Sequence, residues 1–226
     1  MKYIHQHMGL GDHIICNGLI HELQKRYSEK LGLFSKIRNT PSVEFMYRHN
    51  PNIEVISVND DNDVIKYCND HDIECIKIGH ENLNIFLSDK NWPKSFYNQM
   101  GVDFDKRWSS FFVERDIESE TKLYDLKNPN KEKYALIHST SSSGVGKIDY
   151  SIVNSNLLKI EVSKETHTIF DYITLILNAT EIHCIDSSFI HLVDSFDLES
   201  KLFYHKTINY RGWTSEYKLK NNWKVI

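Results

Sequence analysis

No run of about 18 apolar residues occurs in the 226-residue chain, so the sequence offers no membrane-spanning helix. Its start, MKYIHQHMGLGD, lacks the apolar core and small-residue cleavage site of a secretory signal, and a cytoplasmic protein is expected. The four cysteines, Cys16, Cys68, Cys75 and Cys184, form no CxxC pair. A zinc ribbon or dithiol redox motif is therefore unsupported, and reduced thiols are the simplest expectation. Neither a GxSxG elbow nor an HExxH helix is present, which removes the motif support for a serine hydrolase or a zinc peptidase. Glycine and proline are scarce, at nine and four, and no low-complexity tract occurs. An excess of positive charge is also missing. The net charge of −4 argues against nucleic acid as a partner.

What is present fits a globular α/β protein. Hydrophobic residues make up 40% and charged residues 26%, enough for a real core. At roughly 100–200 residues per domain, the length fits one large domain or two small ones. Strand patterns at Lys2–Gln6, Gly32–Ile37, Ile53–Val58 and Ile73–Ile78 alternate with helical spacing. Asp12 is expected to cap a helix running to about Lys30, and Pro41–His49 and Lys94–Met100 read as helices. A second alternation follows the charged segment Glu114–Glu132. It has strands at Tyr134–His138, Leu157–Val162, Glu181–Ile185 and Lys201–Tyr204, and helices at Ile169–Ala179 and Ser187–Phe196. The reading is two small Rossmann-like lobes, residues 1–115 and 116–226, facing each other across a cleft that holds a ligand outside the strand ends.

Three strand-end segments carry candidate chemistry. Met8-Gly9-Leu10-Gly11-Asp12-His13 places two glycines and a carboxylate between a strand and a helix. Asp12 there can act as a general base, or simply cap the helix. Asp186-Ser187-Ser188, with His191 following, puts hydroxyls and backbone donors at a helix start, which suits a diphosphate; a plain Ser cap with a semi-buried histidine fits the same residues. His138-Ser139 opens a hydroxyl-rich loop ending at Lys147, a point charge for phosphate or else an ordinary surface loop. His5 and His7 form an HxH pair near His13, but spacing supplies no third or fourth ligand, so no metal is expected. Phe96, Tyr97, Trp108, Phe111 and Phe112 fit core packing better than sugar stacking. Trp92, Trp213 and Trp223 have no assignable role.

Two of these segments together resemble glycosyltransferase family 9, the heptosyltransferases. MGLGDHIICNGLIHEL is similar to their N-terminal strand–GxGD–helix segment. HTIFDYITLILNATEIHCIDSSFIHLVDSF is similar to their C-lobe D-[ST]-G-x-x-H signature, with Ser188 in place of the glycine. The loop IHSTSSSGVGK resembles the strand-end loop of the family. The resemblance implies a GT-B fold and metal-independent, inverting transfer of a sugar from a nucleotide-sugar to a saccharide or other hydroxyl acceptor, with no cofactor. It places Asp12 as base, with Gly9, Gly11 and His13 in the acceptor-lobe loop. It assigns Ser139, Lys147, Asp186, Ser187, Ser188 and His191 to the nucleotide and its phosphates, with Glu165 and Asp171 as nearby ribose candidates. Two other functions stay open at this point: a non-catalytic glycan- or protein-binding module on a reduced scaffold, and a nucleotide-sugar epimerase.

Overall fold

The computed structural model describes residues 1–80, 92–141, 144–145, 147–163, 166–206 and 218–226. The chain divides into two compact units, Met1–Glu114 and Arg115–Ile226. Among the described residues no helix is long and apolar enough to cross a membrane.

In the first unit β1 (Lys2–Gln6), β2 (Leu31–Lys36), β3 (Ile53–Val58) and β4 (Cys75–Ile78) form a parallel sheet in the order β3-β2-β1-β4. Strand β2 is buried along its length except at Lys36, as expected for a parallel strand covered on both faces. The chain winds outward from β1 to β3, then returns to lay β4 on the other side of β1. That reversal makes the carboxyl ends of β1 and β4 the switch point, where successive loops part and ligands bind in open α/β sheets. Helices α1 (Leu10–Ile15), α2 (Asn17–Tyr27), α3 (Thr40–Tyr47), α4 (Asp61–Asp70), α5 (Trp92–Gln99) and α6 (Lys106–Ser109) accompany the sheet. Ile4, Ile14, Leu19, Leu33, Phe34 and Phe96 are fully buried in its core.

The second unit opens with α7 (Ile117–Lys127). Most of the charged segment Glu114–Glu132, which contains the boundary read from the sequence, is thus a helix. Glu120, 1% exposed, anchors it by accepting hydrogen bonds from the Arg115 guanidinium at 2.6 and 3.0 Å and from Thr174 Oγ1 at 2.8 Å. Strands β5 (Tyr134–His138), β8 (Leu158–Glu161), β9 (Glu181–Ile185), β10 (Lys201–His205) and β11 (Trp223–Val225) form a parallel sheet in the order β11-β10-β9-β5-β8. The two-residue strands β6 (Thr140–Ser141) and β7 (Gly144–Val145) pair as a small antiparallel hairpin. Here the winding reverses between β8 and β9, so the switch point lies at the carboxyl ends of β5 and β9. The helix expected at Ile169–Ala179 is a 3-10 turn, Ile169–Tyr172, followed by α8 (Ile173–Asn178), and the last helix is α9 (Ser188–Val193).

Strand β11 is held by Asp194, which is fully buried. Its carboxylate accepts from the backbone N–H groups of Lys220 and Asn221 and from Trp223 Nε1, at 2.9 to 3.1 Å. Trp223 thus has a structural role; Trp213 lies outside the described residues. The expectation of four reduced cysteines is corrected: Cys68 on α4 and Cys75 on β4 are joined as a disulfide, while Cys16 and Cys184 are free and buried. The tight helix-to-strand turn brings the pair together, which no CxxC pattern announces.

Candidate functional site

Asp12 lies just beyond the carboxyl end of β1, at the first switch point. It is not the helix cap. Gly9 is the N-cap of α1, with φ −70° and ψ 146°, and Asp12 stands three positions later. Its carboxylate turns back to the Gly9 N–H, as the acidic residue of a capping box does. Gly9 has backbone angles open to any residue, and its missing side chain makes room for the Asp12 carboxylate. A Cβ there would sit 2.4 Å from Asp12 Oδ2. Gly11 is helical, and among the described residues the left-handed glycines are Gly79 and Gly101.

Burial pushes the Asp12 carboxyl up to about 7, against the opposing pull of the backbone N–H groups of Asp12 and Gly9 and the charge of Lys36. About a fifth of the side chain, 21%, still meets solvent. His7 Nδ1 is 4.0 Å from Asp12 Oδ1, and His7 Nε2 is bonded to the Gly79 carbonyl at 3.0 Å. That bond makes Nε2 the protonated nitrogen and leaves the Nδ1 lone pair toward Asp12. Burial also lowers the His7 basicity, so the ring is neutral. His13, expected in the acceptor loop, is instead fully buried and pairs with Gln6 Nε2 through Nδ1 at 2.8 Å. Desolvation holds it down at about 3, and it packs beneath the loop rather than lining it.

The helix expected to continue to Lys30 breaks at Cys16, between α1 and α2. The cause lies far away in sequence. The Tyr97 hydroxyl donates to the Ile15 carbonyl at 2.7 Å and accepts from the Leu19 N–H at 3.2 Å. Those two groups are i and i+4 partners, so the hydroxyl is inserted into one rung of the helical ladder. Asn17 secures the start of α2 by exchanging hydrogen bonds with the backbone of Phe112, at 2.8 and 3.2 Å. Gly18 allows the Lys106 carbonyl to approach so closely that a Cβ would lie 2.0 Å from its oxygen. The short first turn that carries Asp12 is thereby fixed from α5, α6 and the segment at Phe112. Phe96 and Tyr97 are core residues, as expected, and Phe112 is half-exposed.

At the second switch point Ser187 caps α9, its Oγ accepting from the Phe189 N–H at 3.2 Å. The same Oγ is 3.2 Å from His138 Nδ1, joining the carboxyl ends of β5 and β9. His138 stacks on Phe189 at 4.8 Å, and desolvation lowers it to about 4, so it is a neutral partner for the hydroxyl. Sequence reading left His138 without a role; the parallel pairing of β5 with β9 gives it one. Asp186, Ser188 and Ser139 are partly exposed around this point, while His191 is 5% exposed. Lys147 lines a pocket of about 560 Å³ with Asp149, Tyr150, His205 and Lys206, next to the carboxyl end of β10. Ser142, Ser143, Gly146 and Glu165 lie outside the described residues. Asp171 forms a capping box with Thr168, accepting from its N–H at 3.3 Å.

Asp12 in the first unit and Ser187 with His138 in the second thus stand where the winding of their sheet reverses, whereas Lys147 stands beside β10. Two solved structures with a similar fold are glycosyltransferases. A family 9 glycosyl transferase from Veillonella parvula matches with a TM-score of 0.62 at 11% identity, over 100% of this chain and 85% of that one. The chain has the fold of a family 9 glycosyltransferase. The ADP-heptose LPS heptosyltransferase II of E. coli matches with a TM-score of 0.55 at 10% identity, over 100% of this chain and 90% of that one. No protein-family model and no curated protein matches the sequence. The GT-B-like expectation therefore holds at the level of fold: two α/β units, each with a parallel sheet.

Proposed function

We propose that the protein is a glycosyltransferase that moves a sugar from a nucleotide-sugar to an acceptor hydroxyl, with inversion and without a metal on the diphosphate. The acceptor oxygen attacks the anomeric carbon while the Asp12 carboxylate takes its proton. The bond from that carbon to the diphosphate oxygen breaks, and the nucleoside diphosphate leaves with the electron pair. Ser139, Ser187, Ser188 and Asp186 border the donor's phosphates, and Lys147 supplies the positive charge. Lys206, in the same pocket as Lys147, adds a second cation to that role. The observation that carries this reading is Asp12 itself. A carboxyl raised to about 7 by burial, at the switch point of a glycosyltransferase fold, is a base matched to neutral pH.

Thermal shift against a panel of nucleotides and nucleotide-sugars tests it, without and with magnesium. One nucleoside diphosphate should stabilise selectively and without metal, by about 2.7 kcal/mol at a hundredfold excess over its dissociation constant. Asp12→Asn should keep that shift and lose turnover. Well-folded protein that no nucleotide stabilises would overturn the reading, and glycan binding without nucleotide binding would put a recognition module in its place.

A further inference from the structure

The HxH pair at the end of β1 does not act as a pair. His7 turns to Gly79, whereas His5 meets residues from two other segments. His5 Nε2 is 2.8 Å from Asp61 Oδ1, and the His5 and His80 rings lie 4.2 Å apart. One ligand atom from each of His5, Asp61 and His80 falls within 4.8 Å of the others. The three come from the end of β1, the first residue of α4 after β3, and the residue after Gly79, so three separate segments at the carboxyl edge of the sheet assemble them.

We propose that His5, Asp61 and His80 form a binding site for a transition-metal dication of the Zn2+ class. Two imidazoles and a carboxylate are a donor set that zinc accepts, with a fourth position left for water or another oxygen ligand. The His80 ring donates to the backbone carbonyl of Gln6, and its Nε2 is buried with no hydrogen-bond partner. A neutral imidazole oriented through one nitrogen and presenting the other as a lone pair is the arrangement of a metal-binding histidine. Gly79, at φ +81°, supplies the left-handed turn that swings His80 back over β1, and a Cβ there would lie 2.3 Å from the Phe96 ring. Tetrahedral zinc needs donor separations of roughly 3.3 Å, so side-chain rotations of about 1 Å close the site. Lys36 is a nearby cation whose field reaches Asp61, and it disfavours a second positive charge. This inference does not depend on glycosyl transfer.

Chelator-stripped protein titrated with Zn2+ by calorimetry, and with Co2+ by visible absorption, tests it. One equivalent should bind, with Co2+ d–d bands that report nitrogen and oxygen ligands. His80→Gln and Asp61→Asn should each weaken binding tenfold or more. His71→Gln should leave it unchanged, because exposed His71 stands apart from the cluster. Asp61 is half-exposed, so its variant keeps the test usable if a histidine variant fails to fold. Absence of binding, or binding that survives both ligand variants, overturns the proposal; the latter would place the metal on other histidines among the twelve in the chain.

Discussion

Replacing Asp12 by asparagine should make the protein more stable above neutral pH while abolishing turnover. A carboxyl whose folded value lies above its unfolded value keeps its proton in the folded state over a window where the unfolded chain has lost it. The stability it contributes is complete below 3.8 and is lost as pH rises through about 7. The interval is about three units, or about 4 kcal/mol at 1.36 kcal/mol per unit. The exposed fifth of the side chain lowers this to about 3 kcal/mol. Asparagine carries no charge and its oxygen still accepts from Gly9, so it escapes the cost. For a unit of this size the gain corresponds to about 12 °C in Tm. Melts of both proteins from pH 4.5 to 8.5 should show the advantage of the variant growing with pH and levelling above 7. In the wild type, kcat/KM should rise over the same range. An advantage that is flat with pH, or a variant less stable at pH 8.5, would refute the assignment of Asp12 as a carboxylate held at a cost.

Tyr97→Phe removes the hydroxyl inserted between Ile15 and Leu19, so the rung can close directly and move Asp12. Turnover should fall about a hundredfold with only about 1 kcal/mol lost in a urea melt, and the reverse pattern would count against positioning. Gly18→Ala drives a methyl into the Lys106 carbonyl and should cost about 3 kcal/mol by the same melt. Asp194→Ala leaves the Trp223 indole and two backbone N–H groups without their acceptor. It should cost about 3 kcal/mol and remove hydrogen-exchange protection from Trp223–Val225 before the rest of the sheet. Denatured, unreduced protein should react with a thiol reagent at Cys16 and Cys184 alone, and at all four cysteines after reduction; four reactive thiols before reduction would exclude the Cys68–Cys75 bond.

The alternation of strands and helices was legible because burial imposes its period on each segment separately. β2, β5 and β9 are apolar enough to read without their neighbours. What could not be read depends on partners distant in the chain. A continuous helix after Asp12 is the correct local reading, and Tyr97 breaks it from about eighty residues away. The segment before β5 reads only as a charged break between two alternations, and the Arg115–Glu120–Thr174 contacts anchor it as a helix. β11 is three residues long and takes its place from Asp194, not from its own pattern. Among the site residues, Asp12 and Ser187 stood out because glycine and serine punctuate strand ends. His138 and the His5–Asp61–His80 group did not, because the order of strands in a sheet is not written in any one strand.

The disulfide acts on the same elements as that group. Cys68 lies near the end of α4 and Cys75 begins β4, while Asp61 opens α4 and His80 follows β4. A covalent tie at one end of this helix–strand pair restricts how far its other end can spread. A cation held there and the crosslink are therefore linked functions, and linkage is reciprocal. Whatever factor oxidation adds to cation affinity, the bound cation adds to the resistance of the sulfur pair to reduction. A thiol buffer and a chelator would then work in concert, each making the other more effective at loosening α4 from β4.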